Sequence, residues 1–494
     1  MYLIGYDIGS SSIKAALVSA ETGKRVAVAQ HPSFEMDISA PQPGWAEQDP
    51  EVWWTHLCAA TQELLSLVKD ASDIKAIGIS YQMHGLVLLD KHGKVLRPSI
   101  IWCDSRAVEI GRKAFDEIGH EHCLSTMLNS PGNFTASKLR WVQENEPDIY
   151  ARIHKCMLPG DYIAYRLSGS MNTTISGLSE GMFWDFKNHQ FAERVLQHYA
   201  ISRDLIPDLV PSCGAQAEVS SIAAQETGLP NGITIGYRAG DQPNNALALN
   251  VLKPGEVAAT GGTSGVVYGV VDAALYDEQS RVNGFAHVNH TSEDPRIGIL
   301  LCINGAGRMY GWLRQEVIGS NMSYSELERM AQKVKPGADG LRILPFGNGA
   351  ERMLDNRDVG AQLHGLQLNR HTNHHLIRAT LEGIAFAFCY GIDIMKEMHL
   401  KTDVIRVGND NLFQSKIFSQ AVADLCGARI EIADTTGAVG AALAGGCGAG
   451  FFASLAEAMK NVEVLSTIMP EENNGHDIIY EDWQTILSKS LEAQ

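Results

Sequence analysis

The 494-residue chain has no excess of basic residues, no C-x-x-C pair, no low-complexity linker and no G-x-x-x-x-G-K-[ST] loop. Each absence excludes something. With 40 Lys and Arg against 57 Asp and Glu, the formal charge is −17, so no generic attraction for nucleic acid or an anionic membrane is expected. A phosphate compound must then be met locally, by backbone amides, a few placed cations and a metal ion. Nine cysteines without paired spacing read as reduced thiols of a cytosolic protein. The start, MYLIGYDIGSSSIK, lacks a basic segment and carries Asp7 inside its apolar run, which argues against a signal peptide. The charge-free stretch Thr435–Ala456 holds six glycines and few large apolar side chains. It reads as a buried, tightly packed helix and turn and not as a membrane span. What remains is ordinary globular composition, 45% hydrophobic and 20% charged, in a chain long enough for two large domains.

The pattern along the chain is mixed α/β. YLIGYD, IKAALVSA and VAVAQHPSF read as strands, the first two joined by a small-residue turn. Apolar spacing over Glu51–Val68, after Asp49-Pro50, predicts a helix, and IKAIGIS predicts a fourth strand. A similar strand–turn–strand recurs as GEVAATGGTSGVVYGVV, a weak internal duplication offset by about 250 residues that any two Gly/Ser hairpins would also produce. It places a domain boundary near Asn250–Pro254. Helices are predicted over His371–His399 and Phe413–Cys426, and a terminal helix in the tail after Asn461. His371, His374 and His375 lack a matched carboxylate or cysteine and read as a polar helix start more readily than as metal ligands.

Four motifs offer chemistry. In Asp7-x-Gly9-x-x-Ser12-x-Lys14, a hairpin of small residues with Ser11 and Ser12 exposes backbone N–H groups suited to phosphate oxygens. Asp7 at its strand end suits a hydrated Mg²⁺, and Lys14 offsets phosphate charge. Gly261-Gly262-Thr263 forms a matching turn, and two such turns in two halves would clamp a polyphosphate. Asp241, after the strand GITIGYRAG, is either a base for a substrate hydroxyl or a helix cap. Gln82-Met83-His84-Gly85 joins two apolar segments and offers polar side chains to hydroxyls, or is a structural loop with a buried histidine. Trp102-x-Asp104-x-Arg106 offers an aromatic face, an acceptor and a forked donor, or a surface ion pair at a strand end.

DIGSSSIK, QMHG, the aspartate of AGDQ, GGTS, LPFGNGAER through LHGL, TLEGIAFAF and GAVGAALAG stand in the order found in the FGGY carbohydrate kinases. The chain resembles that family from Tyr2 to about Phe452. Within it, SYQMHGLVLLD followed by RPSIIWCDSR is most similar to the branch that phosphorylates D-xylulose. The resemblance implies an α/β fold of two ribonuclease-H-like domains of the actin and hexokinase type, residues 1–250 and 251–494, with the site in the cleft between them. It implies ATP as phosphoryl donor, Mg²⁺ as cofactor, and a cytoplasmic enzyme acting on a small sugar. Family analogy alone suggests a homodimer. Carried over by position, Asp241 is the general base, and Met83 and His84, with Gln82 beside them, contact the ketose. Asp7, Gly9, Ser12 and Lys14 match the first phosphate motif and Gly261, Gly262 and Thr263 the second. Gly408, Asn409 and Gly440 fall near the adenosine. Three stretches depart from the family pattern: Val407–Asn411, where larger side chains replace glycines, Phe346–Arg352, which reads as the family's loop with an inserted or shifted residue, and Gln242–Asn245, where small residues are usual. Another ketose or a polyol as substrate remains open, as does a non-catalytic actin-like ATP-binding protein.

Overall fold

The computed structural model describes residues 1–409, 411–472 and 474–493. Two mixed sheets organise it. The first is built from β1 (Tyr2–Ile8), β2 (Ile13–Ser19), β3 (Arg25–His31), β4 (Ile74–Tyr81), β5 (Cys213–Glu218) and β6 (Thr234–Gly240), in the order β5-β6-β4-β1-β2-β3. The second is built from β7 (Glu256–Gly261), β8 (Gly265–Val271), β9 (Asn283–Ala286), β10 (Ile297–Ile303), β11 (Val404–Gly408), β12 (Arg429–Ala433) and β13 (Val464–Ile468), in the order β9-β10-β8-β7-β11-β12-β13.

The two sheets repeat one pairing scheme. β1 pairs antiparallel with β2 and parallel with β4, and β7 pairs antiparallel with β8 and parallel with β11. Each sheet then adds a second parallel strand, β6 or β12, and an antiparallel edge, β5 or β13. The hairpin similarity in the sequence is therefore part of a repeated topology. Central strands such as β1 are buried along nearly their whole length, which is why they read as continuous apolar runs, whereas edge strand β3 is half exposed.

Helices cover the sheets. They include α1 (Pro50–Leu65), α2 (Thr135–Asn145), α3 (Ile175–Glu180), α4 (Asp241–Ala248), α5 (Asn373–Glu397), α6 (Lys416–Cys426), α7 (Gly437–Gly448) and α8 (His476–Glu492). Of those with expected bounds, α1 and α5 lie close to them. α6 starts three residues late because the Ser415 side chain accepts from Phe418 N–H and sets the cap there. His371, His374 and His375 stand at the start of α5, where Thr372 N–H donates to His375 Nδ1. In α8, buried Trp483 donates its indole N–H to the Ile343 carbonyl at 2.8 Å, tying the tail to the second half.

Helices α4 and α7 cross between the halves. α4 leaves the first sheet and touches β7 and β8 of the second. α7 comes from the second half and lies across β1, β4 and β6 of the first sheet. No side-chain layer separates α7 from these strands. A Cβ on Gly5 would stand 1.9 Å from the Ala438 carbonyl oxygen, and one on Gly236 2.2 Å from that of Gly445. The glycine-rich stretch is thus a buried helix in backbone contact with a sheet.

Candidate active site

The carboxyl ends of β1, β4 and β6 converge with the turn of the first hairpin. β1 ends beside Asp7, β4 runs into Gln82-Met83-His84, and β6 ends at Gly240, directly before Asp241. Gly240 is the cap of α4 and Asp241 stands in its first turn. A side chain at Gly240 has no room, because its Cβ would lie 2.6 Å from Met83 Cγ and 3.1 Å from Glu180 Oε2. That packing brings Met83 and Glu180 against the base of α4.

Charge in this region is concentrated and poorly hydrated. Burial, with the like charge of Asp7, raises the Asp241 carboxyl to about 7, and hydrogen bonds at the helix head oppose the rise. Burial likewise lifts Asp7 above the usual carboxylate range, opposed by a 3.1 Å hydrogen bond from Ser80 Oγ and by the charge of Lys14. A carboxyl near 7 at the end of a strand beside a cavity is suited to accept a proton at neutral pH.

Residues of β7 and of the second turn line two cavities. A cavity of about 290 Å³ is lined by Asp7, Lys14, Gln242, Thr260, Gly408 and Thr436, among others, so both halves contribute to it. A larger one of about 720 Å³ is lined by Gly261, Gly262 and Thr263, with Arg308, Tyr310 and Glu328 beyond them. Thr260 thus lines the smaller cavity, and the turn that follows it lines the larger one. Its carbonyls also accept from the next helix, Gly307 N–H to Gly262 and Arg308 N–H to Thr263. The lining residues from Gly307 to Gln332 are missing from the sequence reading, although glycines at 305, 307 and 311 after a strand were a visible signal.

The first turn is braced by its neighbours. Gly9 N–H donates to the Ser12 carbonyl, Met36 N–H to the Ser11 carbonyl, and Gln48 Nε2 to the Ser10 carbonyl. Trp102 is 53% exposed and donates its indole N–H to Ser10 Oγ at 3.3 Å, so it stands over this turn. Asp104 and Arg106 are not open to a ligand. Asp104 accepts from Ala46 N–H and is doubly bonded to Arg106, whose guanidinium also pairs with Glu47 and stacks over Trp45 at 3.8 Å. Their side chains are 0% and 1% exposed, and they anchor the loop that carries Trp102.

Gln82 is 2% exposed, and neither atom of its amide has a hydrogen-bond partner among the described residues. Buried polar groups are rarely left so, and an unmet amide beside Asp241 fits a hydroxylated ligand. Gly408 lines the smaller cavity, and Asn409 follows it, its N–H bonded to the Ala433 carbonyl. Gly440 is set apart from both cavities, at the crossing of α7 with α4, where its Cβ would meet Ala248 at 2.5 Å. Within the divergent Val407–Asn411 stretch, Asp410 lies outside the described residues. The unusual Asn244 and Asn245 join α4 to α7: Asn244 Nδ2 donates to the Gly437 carbonyl at 2.9 Å, and Asn245 Oδ1 stands beside Gly437.

Known proteins resemble the chain along nearly its whole length. The xylulose kinase of Klebsiella pneumoniae is 29% identical over 443 residues, covering 89% of this chain and 88% of that one. The xylulose kinase of Lactococcus lactis is 29% identical, covering 99% and 97%. The crystal structure of xylulose kinase from Rhodospirillum rubrum superposes with a TM-score of 0.90 at 27% identity, covering 99% of both chains. Residues 2–248 match the N-terminal domain of the FGGY family of carbohydrate kinases and residues 257–449 match its C-terminal domain. The chain belongs to the FGGY family of carbohydrate kinases, with the two-domain fold of actin and hexokinase.

Proposed function

We propose that the chain transfers the terminal phosphoryl group of ATP to the C5 hydroxyl of D-xylulose, residues 1–250 holding the sugar and residues 251–494 the nucleotide. The observation that carries the reading is Asp241, a carboxyl raised to about 7 at the head of α4 by burial and the charge of Asp7, just past the point where Gly240 pairs with Tyr81, the residue before the unmet amide of Gln82. The relatives named as xylulose kinases supply the sugar.

In this reading the ketose sits against Gln82, Met83 and His84, with its terminal hydroxyl at Asp241. The three buried acidic groups nearby, Asp7, Glu180 and Asp241, favour a neutral polyol over an anionic sugar acid. Asp241 takes the hydroxyl proton as that oxygen bonds to phosphorus and the bond to the leaving ADP breaks. Little covalent chemistry falls to the protein, so positioning and charge compensation dominate. The turns Gly9–Ser12 and Gly261–Thr263 offer backbone donors to the phosphates, and the cavity beyond Thr263 takes the nucleoside. Approach of the two halves about α4 and α7 would exclude water from the sugar hydroxyl.

Mg²⁺ fits the donors present. Asp7 is a hard oxygen donor made costly by burial, a cost that a cation beside it would relieve. No group of three or more His, Cys, Asp or Glu stands ready to cage a metal among the described residues, which suits an ion that keeps its waters and is shared with substrate phosphates. Asp7 would hold it through water, and the bound ion would neutralise charge on the phosphates.

Two measurements test the reading. ³¹P spectra of a reaction with D-xylulose should show ADP and one new phosphomonoester coupled to the C5 protons; a C1 ester or none at all overturns the assignment. Lys14 is exposed on β2, opposite Asp7 in the register, and is not part of the core. Lys14→Ala should raise the KM for ATP about tenfold, the worth of one charged hydrogen bond, with the melting temperature unchanged. Loss of stability without a change in ATP use would remove Lys14 from the phosphate site.

A further inference from the structure

Glu180 and Lys138 are buried ionisable residues that the phosphoryl transfer itself does not use. Both touch His84. Glu180 ends α3, is 1% exposed, and accepts from Tyr81 Oη at 2.5 Å and from His84 N–H at 3.3 Å. Its backbone carbonyl lies 2.9 Å from His84 Nδ1. Lys138 stands on α2, is fully buried, and donates to the His84 carbonyl at 3.0 Å and to the Ile101 carbonyl at 2.9 Å. So the N–H, the carbonyl and Nδ1 of His84 are all engaged, and Nε2 has no partner among the described residues.

His84 needs such holding. Its φ is 61°, in the left-handed region that costs a residue with a Cβ about 1 kcal/mol or more. Its ring lies edge-on to Phe134, with centroids 4.5 Å apart, and tilted against Phe285 at 5.5 Å. The acceptor at Nδ1 is a carbonyl, which can take a hydrogen bond only from an N–H. The proton of a neutral ring must therefore sit on Nδ1, leaving Nε2 with a free lone pair. Burial, aided by Lys138 and Arg352, holds the ring neutral, its pKa pushed down to about 3.

We propose that Glu180 and Lys138 are positioning residues of the sugar site, which fix His84 in one tautomer and one orientation so that Nε2 accepts a hydrogen bond from a sugar hydroxyl. This rests on the sugar-kinase reading above and adds the two residues that make His84 usable in it. Glu180 had a faint signature: it is the one charged side chain in the run from Asn172 to Trp184. Nothing in its spacing linked it to His84, 96 residues earlier in the chain.

The test combines kinetics with spectroscopy. Glu180→Met keeps length and removes the acceptors, and Lys138→Met removes the donor. Each should raise the KM for D-xylulose about tenfold, with kcat and the KM for ATP within about twofold, as expected for lost uniform binding. In a His84→Gln background, Glu180→Met should add nothing further to the sugar KM, because its effect passes through His84. An unchanged sugar KM, or an effect that adds fully to that of His84→Gln, overturns the proposal. Should Glu180→Met fail to fold, Lys138→Met carries the same test. Independently of turnover, ¹⁵N spectra of the wild-type imidazoles should show His84, identified by its absence in His84→Gln, with a protonated Nδ1 and a bare Nε2. A protonated Nε2 contradicts the proposal. A wild-type protein that ignores D-xylulose would instead refute the substrate assignment, and the tautomer would still be read.

Discussion

Asp241→Asn is expected to lower kcat about 10³-fold while the protein becomes more stable at pH 8. The first effect follows from removing a positioned base, typically worth 10² to 10⁴ in rate. The asparagine keeps the size of the side chain, so the KM values for ATP and sugar should change far less than kcat. The second effect follows from linkage. Burial and Asp7 hold the folded-state carboxyl near 7, well above its value of about 4 in an unfolded chain. Between those values the folded state keeps a proton that the unfolded state has lost. Stability therefore falls as pH rises through that window and stays low above it. A neutral amide escapes that loss. The melting temperature of Asp241→Asn should exceed that of the wild type at pH 8, and the two should converge toward pH 4. In the wild-type enzyme, kcat/KM should rise with pH through about 7, as the base of the free enzyme ionises. Retention of more than a tenth of the turnover in Asp241→Asn would show that another group takes the proton.

Gly78→Ala is the substitution expected to damage the fold most. Gly78 sits in β4, and a Cβ there would stand 1.8 Å from the Ala441 carbonyl oxygen of α7. The obstacle is helix backbone and cannot rotate away, so the helix must lift off the sheet. Overpacking commonly costs 1–3 kcal/mol, and this contact should cost about 3 kcal/mol or more. The head of α7 also lines the smaller cavity through Thr435, Thr436 and Gly437. Lifting the helix would thus spoil the site as well as the core. Chemical denaturation should show a lower midpoint, and kcat should fall even in the fraction that remains folded. A variant with unchanged midpoint and activity would mean that α7 does not lie on the sheet as described.

These two residues also show what the sequence could and could not convey. Asp241 was visible because a carboxylate directly after a buried strand is a local pattern, and the resemblance implies its role as base. The hairpins at Gly9 and Gly261 were visible for the same reason. Gly78 was not singled out, since IKAIGIS reads as an ordinary strand; its need for glycine comes from a helix more than 350 residues later in the chain. The glycine-rich segment from Gly437 announced close packing but not its partner. Asp104 and Arg106 looked like ligands because an acceptor and a forked donor at i and i+2 suit a polyol. Burial and the stacking of Trp45 on Arg106, neither of which spacing encodes, turn them toward each other. Glu180 and Lys138 were missed because their chemistry exists only where α2 and α3 meet the loop after β4.

In the proposed function, the cleft transfers phosphate from ATP to a sugar, and that sugar is D-xylulose. The direct test is ATP consumption by the purified protein with Mg²⁺, in the presence of D-xylulose, D-ribulose, L-ribulose, L-xylulose, D-fructose, glycerol or no sugar. Strong stimulation by D-xylulose above every other member is the predicted result. Equal or greater stimulation by another member would contradict the substrate assignment, and ATP turnover that ignored every sugar would contradict the kinase reading itself.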